Sequence, residues 1–337
     1  MKRILEKRRE VNRETHIAFI DFEKAFDNVD RCKLWTIMKN NGYPPHLIEV
    51  VKSLYKETKV IINTGKSKTE ELKTNKGVKQ GCSLSPTLFN IYIDDLLKRW
   101  KNEVEPGILI GPNKYLNMLM YADNIAIIQQ TENELQRSVY KLNEIAGEYN
   151  MKISLKKSKI MAHHGKFPTR SKIVIDNKLI ERTNHFNYLG CDITYDRDKD
   201  IENKINKFQS ICGTINRTLQ NKTRKDTKLK FYKVMAVPVL MYGSESWILK
   251  EADKNKIQAA EMRFLRKVKG CSRRDHIRNE TIREELEIFN INERINDYKE
   301  KWKNHINRMD STRIPHLIHK YQPRGRRDVG RPRKRWS

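Results

Sequence analysis

Two aspartates in this chain stand where apolar sequence gives way to polar sequence. Asp21 closes the run His16-Ile17-Ala18-Phe19-Ile20, and Asp123 lies in the four-residue tip Tyr121-Ala122-Asp123-Asn124, flanked by apolar arms. A carboxylate delivered at the end of a buried strand, with a second held on a stiff turn, suits metal-dependent phosphoryl transfer. That chemistry needs two divalent ions about 3.5–4 Å apart, held by carboxylates from separate segments. Magnesium keeps much of its water and takes only one or two protein carboxylates. The plainer alternatives are an Asx turn at Asp123 and a turn cap at Asp21.

The elements that must position these groups follow from spacing. Tight apolar arms around Tyr121–Asn124 predict a β-hairpin with both arms in a core. Residues 1–14 alternate charge and read as an exposed helix. Asp30 fits an N-cap for a helix over Cys32–Lys39. Gly42-Tyr43-Pro44-Pro45 breaks that helix, and a second follows with Leu47, Val50, Val51 and Leu54 on one face. Lys59 to Thr64 reads as a strand and Gly65-Lys66-Ser67 as a turn. Between the aspartates, the small residues of Gly77–Ser85 lead into an apolar helix. There Gly81 lets the backbone approach a ligand closely, and Pro86 suits a first helical turn. Thr131-Glu132-Asn133-Glu134 is a capping box, opening a helix with Leu135, Val139, Leu142, Ile145 and Tyr149 inward. Met151 to Met161 alternates apolar and basic residues, as a solvated strand edge does. Strands and helices alternate without regular βα spacing, so an α+β domain with an antiparallel sheet is expected.

From Asp200 the pattern turns helical. Ile201, Ile205, Phe208, Cys212, Ile215 and Leu219 recur at helix spacing, and further helices are expected from Thr227 to about Tyr242, through Ile257–Val268 up to Gly270, and from Ile295 to Met309. The aromatic stripe Tyr298 and Trp302 on the last is read as core.

The chain has 337 residues, with 69 Lys+Arg against 42 Asp+Glu, a net charge of +27. Such a surplus points to a polyanionic partner, most often nucleic acid. The longest apolar run, Val234 to Tyr242, is too short to span a bilayer and contains Pro238, so no membrane role is expected. The N-terminus has no apolar signal core. The five cysteines are scattered, which suits a reducing compartment and gives no zinc site. His163-His164 reads as a surface loop pair. The tail from Pro323 to Ser337 carries seven basic residues and one acid. It reads as a flexible phosphate-binding segment or a nuclear address, so an intracellular protein is expected, with the nucleus the nearer fit.

The order of motifs is specific. Phe19-Ile20-Asp21-Phe22-Glu23-Lys24-Ala25-Phe26-Asp27 closely resembles the first catalytic motif of reverse transcriptases from non-LTR retrotransposons. Gln80-Gly81-Cys82-Ser83-Leu84-Ser85-Pro86 resembles their template and nucleotide loop, and Tyr121-Ala122-Asp123-Asn124 their catalytic hairpin. Ile153-Ser154 through Lys157-Ser158 resembles the next motif, and Phe186-Asn187-Tyr188-Leu189-Gly190 the primer-grip strand. Val237–Trp247 and Gly330–Trp336 are similar to the region downstream of the polymerase core.

The resemblance implies an antiparallel-sheet polymerase palm followed by a mainly helical thumb. The expected boundaries are 1–14 (a remnant fingers helix), 15–199 (palm with primer grip), 200–320 (thumb and downstream region) and 321–337 (basic tail). It implies that Asp21 and Asp123 bind two Mg2+ ions, with Mn2+ as a substitute. Phe22 and Phe26 would line the nucleotide site, with Phe26 under the sugar. Gln80 and Gly81 would contact the template base and nascent pair, and Lys157 would meet the leaving pyrophosphate. Tyr188, Leu189 and Gly190 would hold the primer end. The implied partners are an RNA template, a DNA primer and dNTPs. Two departures qualify the expectation. The family has a second Asp where this chain has Asn124, and most of the fingers are missing, as in a fragment of a mobile element. The expected function is an RNA-directed DNA polymerase domain with impaired catalysis; the alternative is a catalytically dead palm-thumb scaffold that only binds nucleic acid.

Overall fold

The computed structural model describes residues 1–61, 63–65, 67, 69–164, 167–194, 199–219 and 223–325. Along the chain come α1 (Lys2–Glu10), β1 (Glu14–Ile20), α2 (Arg31–Asn40), α3 (Pro45–Tyr55), β2 (Lys59–Val60), β3 (Leu72–Lys73) and α4 (Ser85–Glu103). Next are β4 (Ile108–Gly111), β5 (Lys114–Leu116), β6 (Met118–Tyr121), β7 (Asn124–Gln129), α5 (Glu132–Glu148), β8 (Lys159–His164) and β9 (Phe167–Pro168). Then come β10 (Val174–Ile175), β11 (Lys178–Leu179), β12 (His185–Tyr188), β13 (Cys191–Thr194) and α6 (Lys199–Thr218). The rest is helical: α7 (Lys225–Phe231), α8 (Val237–Met241), α9 (Glu251–Lys269), α10 (Asn279–Glu285), α11 (Ile291–Arg308) and α12 (Ile314–Lys320). Two compact units result, one of residues 12–184 and one of residues 1–11 with 185–337.

The 12–184 unit is built on an antiparallel sheet of order β6-β7-β1-β8-β9. β1 lies between β7 and β8, with Ile20 opposite Ile125 and Phe19 opposite both Ala126 and Lys159. A strand paired on both sides and covered on both faces carries a near-continuous apolar run, and residues 15–20 are all buried. Ala18, Ile20, Ile125 and Ile127 face a core shared with Leu88, Tyr92, Leu96 and Trp100 of α4 and Leu135, Val139 and Leu142 of α5. Asp30 caps α2 through the Lys33 N–H at 3.0 Å. The capping box at Thr131 and Glu134 opens α5.

Several expectations are corrected. Only the β7 arm of the central hairpin is core; β6 is the sheet edge and is half-buried or exposed along its length. Helix α3 turns Ile48 and Tyr55 inward, whereas Leu47, Val50 and Leu54 are exposed. The strand expected from Lys59 to Thr64 is paired only at Lys59 and Val60, and Lys66 of the turn after it lies outside the described residues. His163 is no surface loop residue: it is buried within β8, an inner strand, with only His164 exposed. The preceding lysines ride on a turn, Leu155–Lys157, and not on a strand edge.

The second unit has its own core. Ile201, Ile205, Phe208, Cys212 and Ile215 of α6 pack with Tyr232, Leu240, Trp247, Ile257, Phe264 and Leu265. Glu261 is fully buried there. Its carboxylate takes Arg283 Nη2 at 2.7 Å and the Tyr232 hydroxyl at 3.2 Å, although burial still pushes its carboxyl above the ordinary range. Residues 227–242 are not one helix: a π turn over Tyr232–Ala236 separates α7 from α8, and Pro238 falls in the first turn of α8. A proline cannot donate to the turn before it, so a helix absorbs it where the ladder is already broken. α1 is not exposed, since Ile4 and Arg8 are buried and the other residues of the helix half-buried. Tyr298 is 40% exposed, so the aromatic stripe of α11 is only partly core. The basic tail from residue 326 lies outside the described residues.

Candidate active site

Asp21 is the first residue past β1. Its carbonyl accepts the Ser154 N–H at 2.8 Å, and its own N–H donates to the Ser158 hydroxyl at 3.2 Å. Phe22 bridges Ile153, and the Glu23 N–H donates to the Lys152 carbonyl at 2.8 Å. The segment 152–158 is thereby stitched to the end of β1, and the stitch sets Lys157 beside Asp21. Lys157 Nζ lies 3.2 Å from Asp21 Oδ1, but without the alignment of a hydrogen bond, so this buried carboxylate oxygen has no hydrogen-bond partner. Lys157 itself is 67% exposed.

The hairpin carries the second carboxylate. Tyr121 pairs with Asn124, leaving Ala122 and Asp123 as a two-residue turn. Ala122 has φ +52°, the sign a tight hairpin asks of its first central residue. The β1–β7 register ends at Ile20↔Ile125. Continued by one step it sets Asp21 against Asn124 on strands about 5 Å apart, with Asp123 next in line. Asn124 Nδ2 donates to Asp123 Oδ1 at 3.2 Å. Thus Asp21, Lys157, Asp123 and Asn124 share one end of the sheet. Among the described residues no group of three or more His, Cys, Asp or Glu side chains gathers as a metal set. Two carboxylates, one with an unpartnered buried oxygen, still fit a magnesium ion that keeps most of its water.

The loop between the aspartates docks on the short 3-10 turn Ala25–Asn28. The Val78 N–H donates to the Phe26 carbonyl and the Gly77 N–H to the Val29 carbonyl, each at 2.8 Å. A Cβ at Gly77 would meet the Asp27 carbonyl oxygen at 2.8 Å, so this approach needs glycine. Gln80 Nε2 donates to Asp27 Oδ1 at 3.1 Å. Gly81 has φ +84° and open space where a side chain would stand. Phe26 stacks on Phe89 with centroids 4.5 Å apart. Phe22, expected to line the nucleotide site, is 1% exposed and part of the core, so its ring does not face a ligand.

Sequence reasoning missed Arg31 and the two serines. Arg31 donates to the carbonyls of Gly77 (2.8 Å), Thr74 (2.7 Å) and Lys76 (3.1 Å), pinning the loop that leads to Gln80. Burial lowers its pKa from the usual arginine value. Its acceptors lie 43 to 46 residues away, so nothing local announces the role.

Tyr188, Leu189 and Gly190 belong to the other unit. They form the β12–β13 turn, with Leu189 at φ +50° and Gly190 at φ +73°. Burial pushes the Tyr188 phenol up to about 12. Tyr242 donates its hydroxyl to the Leu189 carbonyl at 2.9 Å, and Lys204 Nζ donates to the Gly190 carbonyl at 2.9 Å. Behind the turn, Asp200 accepts the Asp192 N–H and the Trp247 indole N–H, both at 2.9 Å, and pairs with Lys2.

Residues 2–193 match the family model described as "Reverse transcriptase (RNA-dependent DNA polymerase)". The chain is 24% identical over 233 residues to a Retrovirus-related Pol polyprotein from the type-1 retrotransposable element R2 of Nasonia vitripennis, covering 66% of this chain and 22% of that protein. It is 25% identical over 305 residues to the RNA-directed DNA polymerase from mobile element jockey of Drosophila melanogaster, covering 86% of this chain and 32% of that protein. It therefore spans about a fifth to a third of these relatives. Among solved structures, telomerase from Candida Tropicalis in complex with a TWJ fragment of telomeric RNA aligns at 12% identity, with a TM-score of 0.43, over 77% of this chain and 51% of that one. By the family match over most of residues 2–193 and by these relatives, the chain belongs to the reverse transcriptase (RNA-dependent DNA polymerase) family, among those of non-LTR retrotransposons.

Proposed function

We propose that this chain carries the catalytic centre of an RNA-directed DNA polymerase, extending a DNA primer on an RNA template with dNTPs. The observation that carries the reading is the sheet register, which sets Asp21 and the Asp123 hairpin on adjacent strand ends, with an Asp21 oxygen lacking a hydrogen bond. Asp21 and Asp123 would hold two Mg2+ ions, with Mn2+ as a substitute. Such ions, when bound, neutralise charge on the transferring phosphoryl group and activate the attacking hydroxyl. Lys157, already beside Asp21, brings positive charge to the leaving pyrophosphate. Gly81, with no side chain in the open space before it, leaves room for the nascent pair, and Gln80 is held at the loop by Asp27. Phe26 forms a rigid floor through its stack on Phe89. The hairpin at Tyr188–Gly190 is the primer grip, and the helices from α6 onward are the thumb and the region downstream of it.

Asn124 contributes an amide where a carboxylate would add charge for the metals, so the rate of this copy is impaired. That residue also favours a second reading, a palm-thumb scaffold that binds nucleic acid without catalysis. Among the described residues no helix is long and apolar enough to cross a membrane, and a nuclear address would lie in the basic tail. Primer extension on an RNA template with Mg2+ or Mn2+ separates the two readings. The polymerase reading expects slow extension that Asp21→Asn abolishes; extension absent with both metals, beside intact duplex binding, favours the scaffold.

A further inference from the structure

Basic residues gather on one part of the C-terminal unit, far in sequence from the aspartates. Arg263, Arg266 and Lys267 lie near the C-terminal end of α9, which stops at Gly270 with φ +87°. A short turn comes next at Arg273–Asp275, its start held by the Ser272 hydroxyl accepting the Arg274 N–H at 3.1 Å. The turn folds back so that Arg263, Arg266, Lys267, Cys271, Ser272 and Arg273 line a cavity of ≈ 360 Å3. A second cavity of ≈ 420 Å3 shares Arg266 and Arg273 as walls. Its other lining is of a different kind: the amides of Asn255, Gln258 and Asn279, the His276 ring, and apolar Met262 and Ile277. Both volumes fall within the usual range of small-ligand pockets, about 300–1,000 Å3.

The charges are not spent within the fold. Among the described residues no carboxylate pairs with Arg263, Arg266, Lys267 or Arg273, although the unit has carboxylates that pair elsewhere, such as Glu285 with Lys269. Arg266 Nη2 donates to Asn279 Oδ1 at 2.7 Å, while its buried Nε has no hydrogen-bond partner. Cations in the last turn of a helix complement its dipole by about 0.3–1 kcal/mol each. That explains Arg266 and Lys267 in part, but not Arg263, a turn earlier, or Arg273, beyond the helix. Four unpaired cations are what a phosphate asks for. An adjoining slot of amides with an apolar floor is what an unpaired base asks for.

We propose that these joined cavities bind a single-stranded nucleic acid, with a backbone phosphate among Arg263, Arg266, Lys267 and Arg273 and the attached nucleoside toward Asn255, Gln258 and Asn279. The ligand class rests on the polymerase reading; the metal chemistry at Asp21 does not enter.

Cys271 lines the phosphate cavity and serves as the reporter. The full chain is alkylated with N-ethylmaleimide, with and without a 15-nucleotide oligouridylate, and modification is mapped by mass spectrometry. Oligouridylate is expected to slow Cys271 at least fivefold and to leave exposed Cys32, in the other unit, unchanged. Inorganic phosphate at the same phosphate concentration is expected to leave Cys271 unprotected. In the triple variant Arg263→Gln, Lys267→Gln and Arg273→Gln, three exposed side chains, protection is expected to vanish while the melting curve stays. The slope of log affinity against log salt should also fall by about 2, at roughly 0.7 per lost contact on a single strand. A control with the same loss of charge, Lys101→Gln, Lys114→Gln and Lys178→Gln, should keep the protection of Cys271. Equal protection by phosphate, no protection by oligouridylate, or equal loss in both triple variants would overturn the proposal. Protection of Cys271 in a chain that extends no primer would sink the polymerase reading while leaving this one standing.

Discussion

Asp21 and Asp200 are both partly or fully withdrawn from water, and their surroundings differ in kind. Asp200 is 3% exposed, and its oxygens are taken up by the Asp192 N–H, the Trp247 indole and Lys2. Asp21 has 24% of its side chain exposed, and its Oδ1 is buried without a hydrogen bond, with only a solvent-exposed lysine near it. A satisfied buried carboxylate holds a fold together. An unsatisfied one costs stability, roughly 1–3 kcal/mol per group, and such costs collect at functional sites. The same contrast separates the two regions: the end of the palm sheet keeps its donors for a ligand, and the junction behind the β12–β13 turn uses its donors up.

The sharpest way to break this contrast is to remove each carboxylate in turn. Asp21→Asn should lower primer extension by about a thousandfold or more, the upper range for losing a preorganised electrostatic group, and change folding stability by less than about 1 kcal/mol. Asp200→Ala should do the reverse in kind, costing about 3 kcal/mol in denaturant unfolding because Lys2 and two N–H donors lose their acceptor. A large stability loss at Asp21, or a neutral Asp200→Ala, would erase the distinction.

The next test adds charge instead of removing it. Asn124→Asp should raise the extension rate about a hundredfold, since it returns a carboxylate to the strand beside Asp21. Equal rates would mean that the amide at Asn124 does not limit the reaction. Lys157→Gln comes third. It should slow extension by about a hundredfold, the low end for a positioned acid. It should leave unfolding unchanged, because an exposed ion pair contributes about 0–1 kcal/mol.

Much of this was legible in residues whose partners are near in sequence. Asp30 and the Thr131–Glu134 box announced their helices, and the run before Asp21 announced a buried strand. The periodicity of Ile201 to Ile215 announced α6. What failed needed knowledge of a distant partner. Leu47, Val50 and Leu54 make a good stripe, but α3 turns Ile48 and Tyr55 inward because that is where α2 and the core lie. The β6 arm is as apolar as β7, yet it has a strand on one side only. His163 reads as polar surface, but β8 is sandwiched between β1 and β9 and buries it. The unpartnered oxygen of Asp21 is a fact of three segments meeting, and no spacing encodes it.

The smallest effect sharpens the junction side of the comparison. Burial opposes ionisation of Asp192, but hydrogen bonds from Asn203 (2.7 Å), Asn187 (2.8 Å) and His185 (2.9 Å) prevail and hold its carboxyl below the ordinary range. A depressed folded value means stability that is full above the unfolded pKa, about 3.9, and is lost as pH falls through the folded value. Between pH 6 and pH 3 the wild type should lose about 1 kcal/mol more than Asp192→Asn. Parallel pH curves would show that those hydrogen bonds do not favour the ionised form.

The central claim is that Asp21 and Asp123 are kept unsatisfied for a divalent ion. Electron paramagnetic resonance of free Mn2+, titrated with the full chain, reads that occupancy without any turnover. The account predicts binding that weakens at least tenfold in Asp21→Asn and in Asp123→Asn, and tightens in Asn124→Asp. Mn2+ affinity that is the same in all four proteins would contradict it.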